Sequence, residues 1–380
     1  MSALRPDVDP GGLMEFSVVF TDRSLNHMSR RFQQVMRDLS EILRGTYGAD
    51  ALALVPGGGT YAMESVARQL ATGKKAMVIR NGFFSYRWSQ IFEMGAIPAD
   101  ETVLKARRTG NEPQAPFAPP PVEEVVERIE AERPDLLFAP HVETASGMIL
   151  PDDYLKAAAD AVHGVGGLFV LDCIASGCVW VDMEATGVDV LLTAPQKGWS
   201  SPPSAGVVMM NTAARERVKE SRSTSFAMDL GKWLSIMEAY EAGGHAYHAT
   251  MPTDALAAFR DNAAEARAWG LERLAEAQWE LGRRVRAALA ARGLRSVAAA
   301  GFEAPGVVVA YTDDPAVQNG SRFAEAGYQI AAGVPLMVDE GADYRSFRIG
   351  LFGLDKLKDV EGTVARLEAA LDRVFGPPAA

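Results

Sequence analysis

Unbroken apolar runs, in which polar side chains do not alternate with apolar ones, recur along the first part of the chain. They are ALALV (51–55), KAMVIR (75–80), DLLFAP (135–140), GLFVLD (167–172), DVLLT (189–193) and AGVVMM (205–210). Such runs are typical of strands that are buried on both faces of a sheet. Between them, apolar residues from Val122 to Ile129 recur at helical spacing, and a second helix is predicted over 151–162. This alternation predicts an α/β fold, a mostly parallel sheet wrapped by helices.

The pattern changes near Pro252, where a stretch rich in Ala, Arg, Glu and Leu begins and extends to about Gly293. It contains no strand pattern and predicts a helix that crosses between domains. Two further apolar runs, at 306–311 and 347–350, and a closing amphipathic helix predict a smaller α+β unit. The expected divisions are an N-terminal arm at 1–15, a large domain at 16–265 and a small C-terminal domain at 266–380.

The chain of 380 residues is acidic, because 38 Lys and Arg oppose 49 Asp and Glu, which gives a net charge of −11. No Lys/Arg-rich block offsets this balance, which disfavours a nucleic acid or an anionic membrane as partner. The N-terminus lacks the pattern of a signal peptide, and no apolar window approaches the length of a membrane span. Cys173 and Cys178 lack the CxxC spacing of a redox or zinc site, so we expect reduced core thiols, no metal and a cytoplasmic protein. An anionic ligand would have to be bound by a local site rather than by the overall charge.

One candidate for such a local site follows the run at 51–55, where Gly57, Gly58 and Gly59 precede Thr60 and a predicted helix. Glycines let backbone amides approach a ligand closely, and a helix N-terminus offers unpaired N–H groups and a positive dipole. The segment therefore predicts a phosphate-binding loop, although a tight strand-to-helix turn explains the same pattern. It has neither the lysine of a P-loop nor GxGxxG spacing, which disfavours ATP and a dinucleotide as ligands.

Two polar residues stand at the ends of later strands: Asp172 ends GLFVLD, and Lys197 comes shortly after DVLLT. The carboxyl ends of parallel strands are where such folds place their ligands. Taken singly, Asp172 is more simply explained as a solvated loop residue or a helix cap, and Lys197 as a surface charge. Together with the glycine-rich loop they form the set that pyridoxal 5'-phosphate needs. That set is a phosphate site, a carboxylate for the pyridine nitrogen and a lysine that binds the aldehyde as a Schiff base.

These motifs resemble those of the fold-type I pyridoxal-phosphate enzymes, and within them the class V aminotransferases of the alanine–glyoxylate and serine–glyoxylate (serine–pyruvate) type. The resemblance runs from about Leu52 to Gly353. The matching segments are NGFFSYR (81–87) with the family's NGxWGQR, HVETASG (141–147) with HGE(S/T)(S/T)TG, LDCIAS (171–176) with VDSxAS, and PQKGW (195–199) with SQKAL. The resemblance implies that Phe84 takes the place of the family's tryptophan, which stacks on the cofactor ring. It implies two catalytic residues, Lys197 and Asp172, within a cofactor-binding set of Gly58, Gly59, Thr60, Phe84, Thr144, Asp172, Ser176, Gln196, Lys197, Tyr247 and Thr250.

Two further motifs bear on partners and substrate. YHATMP (247–252) is similar to the family's YHHTxP, whose tyrosine and threonine reach the phosphate from the partner subunit, so the resemblance implies a homodimer with shared active sites. FRIGLFG (347–353) resembles WRIGLLG and implies that Arg348 binds the substrate carboxylate. The segment 14–32 departs from the GPGP-like turn with which family members usually open, which leaves the amino donor undefined.

The resemblance as a whole implies a pyridoxal-phosphate-dependent aminotransferase with a ping-pong mechanism. It would move an amino group from a small donor to a small 2-oxo acid, glyoxylate or pyruvate. The alternatives are a lyase on the same cofactor, such as a cysteine desulfurase-like enzyme, an aminotransferase whose donor is 2-aminoethylphosphonate or pyridoxamine, and a cofactor-binding module without activity. Both cysteines precede Lys197 in a buried region, which disfavours a desulfurase, and no DNA-binding helix pair or basic arm supports a regulatory module.

Overall fold

The strands predicted between residues 51 and 210 lie in one sheet in the computed structural model, which describes residues 4–378. Residues 1–3 of the expected arm and 379–380 of the expected small domain lie outside the described residues. The strands are β1 Ala51–Pro56, β2 Lys75–Arg80, β3 Asp100–Lys105, β4 Arg107–Arg108, β5 Phe117–Ala118, β6 Leu136–Pro140, β7 Val142–Glu143, β8 Met148–Ile149, β9 Leu168–Asp172, β10 Val190–Thr193, β11 Ala205–Met210, β12 Val307–Tyr311, β13 Ala331–Ala332 and β14 Ser346–Gly350.

Helices occupy most of the segments between these strands. They are α1 Arg30–Tyr47, α2 Gly59–Val66, α3 Phe83–Gly95, α4 Val122–Glu132, α5 Asp152–Gly164, α6 Met183–Thr186, α7 Thr212–Glu220, α8 Leu230–Glu241, α9 Thr253–Trp269, α10 Leu271–Ala290, α11 Pro315–Gln318, α12 Ser321–Glu325, α13 Leu354–Lys358 and α14 Val360–Phe375. A π-helical turn at Ala67–Ala71 continues α2. Within residues 4–378, no helix is long and apolar enough to cross a membrane.

The main sheet has the strand order β1-β11-β10-β9-β6-β2-β3. Strand β11 is antiparallel to both of its neighbours, whereas β10, β9, β6, β2 and β3 run parallel to one another. Every residue of β9, β10 and β11 is buried, which confirms the expectation of a mostly parallel sheet covered on both faces. Leu192 of β10 is in register with Asp172 at the end of β9, so the loops after these two strands emerge side by side.

Strand β3 was not predicted. It lies at the edge of the sheet and pairs with β2 alone, so its sequence, DETVLK, is free to be polar. Leu104 is its one buried residue. The other edge strand, β1, is buried and keeps its apolar run, so the run is missing in β3 because most of its residues are partly exposed.

The single long helix expected from about residue 252 to 293 is wrong, because the structure has two helices there. Helix α9 ends at Trp269 and α10 begins at Leu271, with Gly270 between them at φ +109°, a conformation that favours glycine. Beyond them, β12, β14 and β13 form a three-stranded antiparallel sheet, and α10 packs against α14 and β12. The expected boundary at 265/266 falls within α9, and the division into a large and a small domain stays a proposal.

Candidate active site

A cavity of about 420 Å³ opens at the carboxyl ends of β9 and β10 and is closed on its other side by residues of the C-terminal sheet. Its position agrees with the rule that open α/β sheets bind ligands beyond the carboxyl ends of their strands. The cavity brings together eight of the residues predicted from the sequence. These are Gly59, Thr60, Phe84, Thr144, Asp172, Gln196, Lys197 and Arg348.

The glycine-rich turn forms one end of the cavity. Gly57 has φ +123°, which favours glycine, and α2 begins at Gly59 with no side chain capping its N-terminus. A Cβ on Gly59 would lie 2.4 Å from Cδ1 of Ile174, so the backbone here packs closely against the loop after β9. Gly58 adjoins the cavity without lining it, and Thr60 lines it. The start of α2 therefore presents backbone N–H groups and a hydroxyl to the cavity, as an anion requires.

Asp172 ends β9 as a buried carboxylate. Its Oδ1 accepts a hydrogen bond of 2.9 Å from the backbone N–H of Ile174. The pKa of Asp172 is raised to about 7, mainly by burial and in part by the charge of Glu143, against the lowering effects of the Ile174 hydrogen bond and of Arg87. A carboxylate in this position favours a cationic or N–H partner in the cavity.

Lys197 stands in the loop after β10, and close backbone packing fixes that loop. A Cβ on the next residue, Gly198, would lie 2.0 Å from the carbonyl oxygen of Gly177, so no larger residue fits without moving the backbone. Burial lowers the pKa of Lys197, and the positive charge of Arg348 adds to the effect. Nζ lies 5.1 Å from the ring centroid of Phe352. These surroundings increase the fraction of neutral, nucleophilic amine.

Arg348 reaches the cavity from β14 and is partly buried. Its Nε donates a hydrogen bond of 2.8 Å to the carbonyl oxygen of Ala332. Its Cζ lies 5.4 Å from the ring centroid of Phe84, which places a cation and an aromatic ring side by side in the cavity. A guanidinium held through Nε can present its other nitrogens to a carboxylate.

Three residues of the predicted set lie elsewhere. Ser176 is buried outside the cavity lining, where its Oγ is 2.7 Å from Nδ1 of His141. Tyr247 is 53% exposed, and its hydroxyl lies 3.3 Å from Oγ1 of Thr250 on the surface. Neither Tyr247 nor Thr250 lines the cavity of its own chain. Their role across a subunit interface stays a prediction.

Sequence reasoning missed two charged residues at the site, Glu143 and Arg87. Glu143 is fully buried, and its carboxylate accepts hydrogen bonds from the backbone N–H groups of Phe84, Ser85 and Ala145 and from the hydroxyl of Ser85. Arg87 lines the cavity beside Thr60. Both residues belong to motifs quoted above. Glu143 precedes Thr144 in HVETASG, and Arg87 follows Phe84 by one helical turn in NGFFSYR, so their positions next to predicted site residues could have indicated them.

Comparison with known proteins gives relatives of moderate identity, and no family model matches the chain. A protein of Synechococcus sp. (strain PCC 6716) named as the small subunit of a soluble hydrogenase is 26% identical over 353 residues, which are 91% of this chain and 87% of that protein. Alanine–glyoxylate aminotransferase of Rattus norvegicus is 27% identical over 256 residues, 66% of this chain and 58% of the rat protein, less than two thirds of its length. The crystal structure of an alanine–glyoxylate aminotransferase from Nostoc sp. superimposes with a TM-score of 0.75 at 22% identity, covering 92% of this chain and 89% of that one.

Proposed function

We propose that the chain is a class V aminotransferase of fold-type I that depends on pyridoxal phosphate and uses glyoxylate as acceptor. The observation that carries the proposal is the convergence of Asp172, Lys197 and Arg348 with the N-terminus of α2 on one cavity. Each residue alone has a simpler explanation, but a buried carboxylate, a half-buried amine and a half-buried guanidinium around one cavity are together typical of a ligand site.

The residues present fit the cofactor. The start of α2 and Thr60 suit its phosphate, Asp172 suits its pyridine nitrogen, and Lys197 suits its aldehyde. Phe84 supplies an aromatic face, and Thr144 and Gln196 line the cavity between these points. When bound, the cofactor supplies an electron sink conjugated to the Cα of the amino acid.

The chain's own residues would then bind the substrate and move one proton. The guanidinium of Arg348 binds the carboxylate of the amino acid or of the 2-oxo acid, which orients the Cα–H bond. The amine of Lys197 takes the proton from Cα, and its lowered pKa favours the neutral form that does so. The carboxylate of Asp172 stabilises a proton on the pyridine nitrogen.

A lyase on the same cofactor finds no support in the cysteines. Cys173 and Cys178 are free and buried. Burial raises the pKa of Cys178 to about 12 and that of Cys173 well above its usual value, so neither thiol is a ready nucleophile. The expected reduced core thiols are thus what the structure contains.

The proposal extends to a homodimer, in which Tyr247 and Thr250 would face the phosphate in the cavity of the partner subunit. The exposure of Tyr247 and the position of both residues outside their own cavity support this arrangement. The substrates would be small molecules. Cytoplasmic location stays a prediction.

A half-reaction decides whether the chain transfers amino groups. The purified protein is loaded with pyridoxal phosphate and mixed with alanine, serine or aspartate in turn, without an acceptor. An aminotransferase converts the bound cofactor to its pyridoxamine form, which absorbs at shorter wavelength, and glyoxylate then restores the original spectrum. Retention of the aldehyde form with release of ammonia or sulfide would show a lyase instead. Borohydride reduction followed by peptide mapping should place the cofactor on Lys197, and label on another lysine would overturn the assignment.

A further inference from the structure

Arg87 is a cation at the cavity that the proposed function leaves without a role. It stands on the second turn of α3, and its Nη1 donates a hydrogen bond of 3.0 Å to Oγ1 of Thr60. Its Cζ lies 5.3 Å from the ring centroid of Phe84. Both neighbours line the cavity with it. The side chain is thus held from two directions, at the end of the cavity where α2 begins.

The cations that line the cavity differ in their neighbours, although Arg87 and Arg348 both lie beside the ring of Phe84. Among residues 4–378, three cationic side chains line it, those of Arg87, Lys197 and Arg348, against one carboxylate, that of Asp172. Lys197 and Arg348 lie close enough for the charge of one to lower the pKa of the other. Arg87 instead contacts the hydroxyl of the first turn of α2. The guanidinium therefore marks the end of the cavity that suits an anion bound by backbone N–H groups.

A phosphate ester gains more from this arrangement than from a helix N-terminus alone. Guanidinium groups match phosphate oxygens in a bidentate geometry and keep their charge at all physiological pH values. The partial charge at a helix N-terminus is about half an elementary charge, whereas a phosphate monoester carries close to two negative charges near neutral pH. In a chain with a net charge of −11, a cation placed at this end supplies the missing neutralisation locally.

We propose that Arg87 binds the phosphate of the cofactor, together with the N-terminus of α2 and the hydroxyl of Thr60. The hydrogen bond to Thr60 and the contact with Phe84 position the guanidinium before the ligand arrives, which reduces the entropy lost on binding. This inference rests on the proposed function, since it concerns the same site.

The test compares two ligands that differ only in the phosphate. Pyridoxal phosphate and pyridoxal are titrated into the full-length chain freed of cofactor, and binding is followed by tryptophan fluorescence and by absorbance. For Arg87→Gln we expect the dissociation constant of pyridoxal phosphate to rise about 10- to 100-fold, the size of one lost charge-assisted hydrogen bond, with little change for pyridoxal. Arg87→Lys keeps the charge and should lose less. Arg107→Gln, an equal change of charge at an exposed ion pair with Glu124 away from the cavity, should match the unmodified chain.

The possible results separate the inference from the proposed function. An equal loss of affinity for both ligands would mean that Arg87 only supports Phe84, and an unchanged affinity for pyridoxal phosphate would mean that it does not contact the phosphate. Either result overturns the inference while the proposed function stands. If the unmodified chain itself binds no pyridoxal phosphate, both are overturned. Inorganic phosphate should compete with pyridoxal phosphate in the unmodified chain and less in Arg87→Gln, and equal competition would also contradict the inference.

Discussion

The two sides of the cavity are built in different ways. On the sheet side, Asp172 and the loop of Lys197 follow adjacent parallel strands, and the backbone of Gly198 packs directly against that of Gly177. On the opposite side, Arg348 stands on a strand of a three-stranded antiparallel sheet whose neighbouring strand, β13, is two residues long and exposed. On the sheet side Asp172 and Gly198 are buried in the core and Lys197 is half-buried, whereas on the C-terminal side Arg348 is half-buried beside the exposed strand β13.

The difference between the two sides of the cavity matches the two tasks that we propose for them, proton transfer and substrate binding. Proton transfer at Cα needs an amine and a carboxylate held in fixed places, and a buried parallel sheet provides them. Binding a substrate carboxylate needs one cation whose side chain can change conformation as substrates enter and products leave. A side chain on a less enclosed sheet has that freedom. We therefore expect substitutions on the sheet side to act mainly on kcat and those on the C-terminal side mainly on KM.

The largest effect is expected for Lys197→Ala. Under the proposed function, removal of the amine would remove both the covalent anchor of the cofactor and the base at Cα, so kcat with alanine and glyoxylate should fall by about 10⁴-fold. Lys156→Ala, at an exposed ion pair with Asp160, is the matched control and should leave kcat unchanged. Activity within a few-fold of the unmodified chain would show that the sheet side does not carry the chemistry.

A smaller effect, of a different kind, is expected for Arg348→Gln. The loss of one charge-assisted pair should raise the KM for glyoxylate by about 10- to 100-fold, with a lesser change in kcat. Arg348→Lys retains the charge but loses the bidentate geometry of the guanidinium, so its KM for glyoxylate should lie between those of the unmodified chain and Arg348→Gln. A fall in kcat at constant KM would contradict the contrast between the two sides of the cavity.

The sheet side could be predicted because its signals are local in the sequence. A buried strand next to two neighbours must be apolar, so the ends of β9 and β10 could be predicted from the runs alone. The roles of Asp172 and Lys197 were predicted only from the set that they form with the glycine-rich loop and from the resemblance. The edge strand β3 escaped because its residues are mostly partly exposed and free to be polar, unlike those of the buried edge strand β1. The break at Gly270 escaped because one glycine in a helical stretch does not reveal its φ.

The C-terminal side and the buried carboxylate could not be predicted in the same way. Arg348 was found by resemblance, since an arginine in a short strand carries no sign of what it faces. Glu143 was missed because its partners come from α3, far away in the sequence, and only the fold brings them together. Likewise, only the fold shows that Tyr247 and Thr250 lie outside the cavity of their own chain, since nothing in the sequence around them indicates it.

Glu143→Gln tests how much the buried carboxylate of Glu143, which sequence reasoning missed, contributes to the stability of the sheet side. An amide has one acceptor oxygen in place of two, so the donors of Phe84, Ser85 and Ala145 cannot all be satisfied. The free energy of unfolding in urea should fall by about 1–3 kcal/mol. Glu93→Gln, on an exposed position of the same helix α3, should change it by less than about 0.5 kcal/mol. Equal stability of the two variants would mean that the buried carboxylate does not hold the start of α3.

The smallest effect concerns the pH dependence of stability at Asp172. Because burial raises its pKa from 3.8 to about 7, the folded chain binds this proton more tightly than the unfolded chain does. The resulting contribution to the free energy of unfolding is complete below the pKa of the unfolded chain and is lost as the pH rises through the pKa of the folded chain. Between pH 6 and pH 8 the loss is about 1 kcal/mol. Asp172→Asn removes this titration, so its free energy of unfolding, measured without cofactor, should fall less steeply over that range.

Other groups near Asp172 also titrate, but they do not spoil the comparison of the unmodified chain with Asp172→Asn. Burial lowers the pKa of His141 to about 3, so its contribution has the opposite sign and is lost as the pH falls below 6.5. His141, Glu143 and Arg87 are present in both proteins, and the difference between the two pH profiles isolates Asp172. Parallel profiles would mean that solvent reaches this carboxylate, and the sheet side of the cavity would then be no more enclosed than the side of Arg348.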